Sequence, residues 1–134
     1  MPQHQTINFF LNGMLFEYDE EKDRANRKKH GVSFRTAARV FFDYDRIEFY
    51  DEENSFDEDR FDVIGDASAG IPEGDAADFG NPAAVTNEVN DVLYVVYTER
   101  RLAEYNGQKQ YVTRIISARL ATSFERGLYY GKQR

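Results

Sequence analysis

The chain of 134 residues has no cysteine, no tryptophan and only three prolines. Without cysteine, disulfide bonds, zinc–thiolate sites and thiol nucleophiles are excluded. No apolar run approaches the roughly 18 residues of a membrane-spanning helix, so we expect no membrane association. The N-terminal stretch MPQHQTINFF lacks a basic segment followed by a long apolar core. We therefore expect no signal peptide, a cytoplasmic location and, from the length, a single domain over residues 1–134.

The acidic residues are concentrated in one part of the chain. The formal net charge is −7, yet Asp51–Asp91 contains 13 acidic residues and one basic residue. The remainder has 16 basic and 11 acidic residues, a net charge of +5. A mildly basic body therefore contains an acidic segment. Within that segment, Asp66–Asp91 contains two prolines and no periodic apolar pattern, which predicts an inserted loop.

The N-terminal half predicts a hairpin followed by two helices. The hairpin turn is Asn12-Gly13. Asp19 is the predicted N-cap of a helix that ends at His30, with Gly31 as its stop. This helix has almost no apolar residue and is expected to lie in solvent or against a partner. Ser33 begins a second helix with a core-facing stripe. The stripe consists of Phe34, Ala37, Ala38, Phe41 and Phe42.

The C-terminal half predicts a meander of four strands and a short helix. The predicted strands are Arg46–Tyr50, Arg60–Gly65, Val92–Arg100 and Tyr111–Arg119. Asn106-Gly107 supplies a turn, and Thr122 with Glu125 forms a capping box at the start of the last helix. The predicted fold class is therefore α+β: a small antiparallel β-sheet of about four strands, to which the N-terminal hairpin can add, packed against two N-terminal helices and a short C-terminal helix.

Four polar side chains lie along one face of the first predicted helix. Lys22, Asn26, Lys29 and His30 are spaced i, i+4, i+7 and i+8. Cations on such a face can hold a phosphate backbone, and an imidazole can transfer protons near neutral pH. The alternative is a solvated helix whose cations interact with its negative C-terminal end. The spacing leaves both interpretations open.

Arginines near the ends of the two last strands form a second candidate group. Its members are Arg100, Arg101, Arg114 and Arg119. Alternation places Arg114 on the face opposite Thr113 and Ile115, so this face is either solvent-exposed or a cleft. Arg119 has the opposite parity and shares a site with Arg114 only if the strand ends or bends by Ala118. The alternative is that these arginines form salt bridges with some of the many carboxylates.

Several familiar sites are missing from the sequence. It contains no GxGxxG motif, no P-loop and no GxSxG motif. The acidic stretch DEENSFDED lacks the glycine and the spacing of a calcium-binding loop. We therefore expect neither a cofactor nor a metal site.

Three stretches together resemble the BrnT family of toxins from type II toxin–antitoxin systems. They are FEYDEEKDRANRKKHGVSFRTAARVFFD, VVYTER and RIISARLATSFERGLYY, and RFDVIG also matches. The resemblance implies a RelE-like fold of the RelE/ParE-like superfamily. It implies an endoribonuclease that cleaves RNA without a metal and inhibits translation. It also implies a ribbon-helix-helix antitoxin partner (BrnA-like), through which operator DNA is bound.

The resemblance also implies roles for individual residues. It assigns catalysis to His30, Lys29, Arg114 and Arg119, and RNA or phosphate binding to Lys22, Asn26, Arg100 and Glu125. Attack of a ribose 2′-OH on the adjacent phosphate requires a base, cations near the developing charge and an acid for the leaving 5′-oxygen. His30 is the expected proton-transfer residue, and Arg114 and Arg119 are the expected phosphate clamp.

The chain departs from the family pattern in three places. These are an N-terminal extension through about Met14, the loop Asp66–Asp91 and a lengthened hairpin at Arg101–Gln110. An acidic segment near a cleft would repel RNA. A second interpretation is therefore a catalytically altered, toxin-like binding module whose acidic loop masks the groove or docks a protein partner.

Overall fold

The computed structural model describes residues 5–70, 91–98 and 101–131. The strands are β1 (Thr6–Leu11), β2 (Met14–Asp19), β3 (Ile47–Tyr50), β4 (Arg60–Asp66), β5 (Val92–Thr98), β6 (Arg101–Tyr105) and β7 (Gln108–Leu120). The helices are α1 (Glu20–His30), α2 (Phe34–Ala37) and α3 (Ser123–Gly131), with 3₁₀ helices at Ala38–Phe42 and Ala67–Gly70. Within the described ranges, no helix has the length and apolar character to cross a membrane.

The seven strands form one mixed sheet, and the predicted α+β class is confirmed. Strand order is β1-β2-β7-β5-β4-β3, with β6 pairing with the N-terminal part of β7. The prediction of a purely antiparallel sheet was wrong, because β2 runs parallel to β7 and pairs Leu15–Glu17 with Val112–Arg114. A strand pattern identifies which segments are extended, but pairing depends on where α1 and α2 carry the chain.

The predicted turns and caps are confirmed. Asn12 and Gly13 both have positive φ, of 50° and 81°, as a two-residue hairpin turn of this hand requires. The Asp19 carboxylate accepts hydrogen bonds from two backbone N–H groups at the start of α1. Gly31 ends α1 with φ 73°, a left-handed conformation that glycine adopts without strain.

The two faces of the sheet are covered differently. The predicted stripe of the second helix packs on the first face, which we call the inner face, and Phe34, Ala37 and Ala38 are fully buried there. The stripe lies on two short helices, α2 and the 3₁₀ helix Ala38–Phe42, rather than on one long helix. The opposite, outer face is covered by α3 at one end, where Tyr129 packs against Ile64.

The ends of the acidic insert lie side by side at the tip of the β4–β5 hairpin. Asp66 pairs with Val92, and the Ala67 N–H donates a hydrogen bond of 2.9 Å to the Asp91 carbonyl oxygen. The chain therefore leaves and rejoins the sheet at neighbouring positions. The predicted loop Asp66–Asp91 lies mostly outside the described residues, and so does Arg100.

Candidate active site

Asn26 joins α1 to the C-terminal half of β7. Its side chain is 8% exposed, and its amide nitrogen donates to the backbone oxygens of Val32 (2.9 Å) and Ala118 (2.7 Å). Its amide oxygen accepts from the Ala118 N–H at 3.2 Å. The pairing of β2 with β7 ends at Arg114. Beyond that residue β2 no longer supplies backbone partners to β7, and the Asn26 side-chain amide hydrogen-bonds the backbone of Ala118 instead. Helix α1 is thereby held beside the residue that precedes Arg119.

The other predicted residues of α1 lie at its surface. Lys22 and Lys29 are exposed, and His30 is partly exposed in the last turn. Four basic residues occupy that turn, and three acidic residues occupy the first turn. This distribution matches the helix dipole at both ends, which is the solvated-helix interpretation. Within the described residues, no hydrogen bond or ion pair joins His30 to Arg114 or Arg119. The structure brings the helix next to the strand without joining these side chains.

A bulge in β7 places Arg114 and Arg119 on the same face of the sheet. Tyr97 of β5 pairs with Ile115, but Val96, the residue before it, pairs with Ser117. Ile116 of β7 therefore has no partner in the register. The extra residue reverses the alternation of the strand. Ile115 and Ala118 both face the inner core, and Arg114 and Arg119 both lie on the outer face. The bend that the shared site required is therefore present.

Arg114 lies beside a buried carboxylate that a second arginine also contacts. Glu17 is 6% exposed and forms ion pairs with Arg101 and with Arg114, the latter at 3.6 Å. A cavity of about 160 Å³ adjoins the two arginines and is also lined by Glu58, Asp59 and Thr98. Acidic residues of the β3–β4 loop therefore face the same space as the arginines.

Arg119 is held by two partners on the outer face. Its Nη1 and Nη2 donate to the two carboxylate oxygens of Glu125, at 2.8 and 2.9 Å. Its guanidinium lies 4.3 Å from the ring centre of Tyr94, its cross-strand neighbour. The bidentate pair raises the pKa of Arg119 and lowers that of Glu125. Glu125 also accepts from the Thr122 N–H, which confirms the predicted capping box.

Asp62 was not among the predicted site residues, although it belongs to the same cluster. It lies in β4, is 3% exposed and accepts a hydrogen bond from the Tyr94 hydroxyl. Burial, with the neighbouring Asp51 carboxylate adding to it, raises the pKa of Asp62 to about 6. A signal was present in the sequence, because RFDVIG places one acid inside an otherwise apolar strand. Such an acid is costly unless it has a specific partner.

The raised pKa of Asp62 predicts that D62N stabilises the protein at neutral pH. An aspartate with a folded-state pKa of about 6 against an ordinary 3.8 binds its proton more tightly when folded. Its contribution to stability is therefore present at low pH and is lost as the pH rises from 3.8 through 6. In urea titrations we expect D62N to raise the free energy of unfolding by about 2 kcal/mol more at pH 7.5 than at pH 4.

A matched control uses an exposed tyrosine–aspartate pair. The Tyr50 hydroxyl donates to Asp59 at 3.0 Å on the exposed β3–β4 loop. We expect D59N to change stability by less than about 1 kcal/mol at both pH values. Equal effects of D62N at both pH values would contradict the assigned ionisation.

The described residues hold no cluster of three or more histidine, aspartate or glutamate side chains arranged to bind a metal ion. The described side chains of the site are arginines, carboxylates and a tyrosine, and α1, which includes His30, lies beside the same strand. Such groups suit recognition of an anion and proton transfer.

One comparison with known proteins gives a match to the N-terminal part of the chain, which contributes α1 and β4 to this site. Residues 18–71 match the profile of BrnT, the ribonuclease toxin of type II toxin–antitoxin systems. The resemblance read from the motifs is thus confirmed for this segment. The family is one of ribonuclease toxins, and a type II system implies an antitoxin partner. No curated protein matches the chain.

The BrnT match covers α1 to β4 and the 3₁₀ helix that follows. It includes the predicted residues of α1 and also Asp62. Arg114, Arg119 and Glu125 lie beyond it, on β7 and at the start of α3. The Asn26–Ala118 contact connects the matched segment to these three residues.

Proposed function

We propose that this chain is the ribonuclease toxin of a type II toxin–antitoxin system and inhibits translation by cleaving RNA without a metal ion. The BrnT match to residues 18–71 supports the ribonuclease class. The observation that carries the proposal is the hydrogen bonding of Asn26 to Ala118, because it holds the helix of Lys29 and His30 beside the strand of Arg119. The proposed site combines a proton-transfer group with a phosphate clamp.

The proposed reaction is attack of a ribose 2′-OH on the adjacent phosphate: the bond from O2′ to phosphorus forms as the bond from phosphorus to the leaving 5′-oxygen breaks. The 2′-OH loses a proton and the leaving 5′-oxygen gains one. His30 transfers the proton, and Arg114 and Arg119 neutralise the charge that develops on the phosphorane. Lys29, Lys22 and Arg100 hold the RNA backbone through charge. Asn26 and Glu125 position other groups: Asn26 holds α1 against β7, and Glu125 holds the Arg119 guanidinium.

The proposal includes the fold family, the domain and the partners. The proposed fold family is RelE-like, in a single domain over residues 1–134 with an acidic insertion at about residues 66–91. The toxin acts in the cytoplasm and is neutralised by a ribbon-helix-helix antitoxin of the BrnA type. Operator DNA is bound only through that antitoxin.

The test is expression of the full chain without a partner. We expect growth arrest and cleaved cellular RNA, and relief of both by H30A or R114A at equal protein levels. R24A is the matched control, since Arg24 is a paired surface arginine at the other end of α1, with a side chain 70% exposed. Harmless expression of the unaltered chain with intact RNA would overturn the proposal.

A second candidate function rests on the charges of the outer face. Arg101, Arg114 and Arg119 are each ion-paired with Glu17 or Glu125 of the same chain. This neutralisation favours a toxin-like binding module without nuclease activity, whose acidic insert masks the groove or docks a protein. Replacing residues 71–90 by a short glycine linker should then uncover RNA binding. If the replacement changes nothing, masking by the insert is wrong.

A further inference from the structure

A buried acid on the outer face has no role in the proposed reaction. Asp62 lies between Phe49 of β3 and Val96 of β5 in the register of the sheet. Its Oδ2 accepts the Tyr94 hydrogen bond, whereas its Oδ1 is buried and receives no hydrogen bond from a donor group of the described residues, and the Asp51 carboxylate lies beside Asp62. A carboxylate that is 3% exposed cannot contact RNA directly. Any effect of Asp62 on a substrate must pass through a neighbour.

Tyr94 is that neighbour, and it links Asp62 to Arg119. The hydroxyl of Tyr94 is tied to Asp62, and its ring supports one face of the Arg119 guanidinium at 4.3 Å. Glu125 occupies the Nη1–Nη2 edge of that guanidinium. The arginine side chain is still 36% exposed. An incoming phosphate either uses the remaining edge or displaces Glu125, and in both cases the ring of Tyr94 stays in place.

We propose that Asp62 is a positioning residue for Arg119: it anchors the Tyr94 hydroxyl and so fixes the ring that supports the guanidinium when RNA phosphate binds. The inference rests on the proposed function, because it assigns a role within that phosphate clamp. The distance between a clamp and a reacting phosphate is critical, since displacements of about 1 Å cost on the order of 100-fold in rate.

The ionisation of Asp62 makes this role testable. The charged form accepts the phenol hydrogen bond and attracts Arg119, and the pKa of Asp62 is about 6. The charged and titratable groups that face it are Asp51 at the end of β3, Tyr94 of β5, Arg119 of β7 and, through that arginine, Glu125 of α3. Arg60 of β4 faces Asp51. Positioning should therefore weaken as the pH falls through about 6.

The first experiment follows the side chains of the full protein by NMR without RNA. We expect the Arg119 Nε–H signal to shift with the midpoint of the Asp62 carboxyl carbon. This shift should shrink in Y94F, which keeps the ring and the direct charge interaction and removes only the hydroxyl. D51N removes a like charge and should lower the midpoint. If the chemical shift of Arg119 Nε–H does not change as Asp62 titrates, the proposal is overturned, whether or not the protein cleaves RNA.

The second experiment measures cleavage of a short single-stranded RNA against pH. We expect D62N and Y94F to lower kcat by about 10- to 100-fold with little change in KM, and to remove the rise of kcat near pH 6. The double variant should be no worse than either single variant. Because D62N is expected to stabilise the fold, a lower kcat cannot be ascribed to unfolding. Unchanged kcat in D62N would contradict the proposal.

Absence of cleavage in every variant, with Arg119 still following Asp62 by NMR, separates the two ideas. That outcome would overturn the proposed ribonuclease function and support the link between Asp62 and Arg119. Cleavage by the unaltered chain with no link by NMR would do the reverse.

Discussion

R119A is expected to lower RNA cleavage by about 100- to 1,000-fold, because it removes a preorganised cation from the site of the developing phosphorane charge. The effect should be on kcat more than on KM, since the bound phosphate already carries one negative charge and the additional charge of the phosphorane develops only in the transition state. R119K should recover only part of the rate. A lysine provides the charge but neither the planar face that lies on Tyr94 nor the bidentate edge.

Two comparisons separate this loss from damage to the fold. Arg119 also anchors α3 through Glu125, so the melting temperature of R119A should be measured beside that of E125Q, which weakens the same ion pair and keeps the arginine. We expect similar modest destabilisation in both, a moderate kinetic loss in E125Q, whose arginine is present but held less firmly, and the larger kinetic loss in R119A. R24A, on the exposed surface of α1, should cleave like the unaltered chain. Cleavage by R119A within about threefold of the unaltered chain would refute the clamp.

N26A is expected to be the most destabilising single substitution in the site, by about 3–5 kcal/mol. Three hydrogen bonds are lost, and the N–H and C=O of Ala118 and the C=O of Val32 remain buried without them. Each such group costs about 1–3 kcal/mol. Urea denaturation measures the loss, and the slope should stay constant if the compactness of both states is unchanged.

Lys22 provides the matched control for Asn26. It lies one turn earlier on the same face of α1 but is exposed. K22A should therefore change stability by less than about 0.5 kcal/mol. Comparing N26A with K22A separates two roles, although the helical spacing predicted the same role for both residues. Asn26 stabilises the fold through its contact with Ala118, whereas Lys22 contributes charge at the surface. Equal stability of N26A and K22A would show that the Ala118 contact contributes little.

The local structure was largely predictable because it depends on neighbours in the sequence. Asp19 and Gly31 delimit α1, Asn12-Gly13 closes the first hairpin, and Glu125 completes its capping box, all as predicted. These features are decided by hydrogen bonds within a few residues and by the φ angles that glycine and asparagine tolerate. Strand β6 was missed, because its side chains are mostly exposed and it pairs only through the extended hairpin with β7.

The site was predictable only in part, because its assembly uses long-range pairings. Alternation alone placed Arg114 and Arg119 on opposite faces, and a single skipped residue in the pairing with β5 reversed this. A bulge is set by how two strands fit together, and one strand by itself gives no sign of it. Asp62 likewise became a candidate only when the fold placed Tyr94 and Asp51 around it.

The sequence by itself determined the fold class, the ends of α1 and the similarity of residues 18–71 to the BrnT family. Short-range hydrogen bonding, periodicity and motif order all depend on residues that are close together in the chain. Only the tertiary structure decided that β2 joins β7 in parallel, that Asn26 fastens α1 to Ala118 and that the arginines share the outer face. Those contacts join residues far apart in the chain: Asn26 and Ala118 are 92 positions apart, and Leu15 and Val112 are 97 apart (112 − 15). They exist because the packed sheet must satisfy its buried backbone groups.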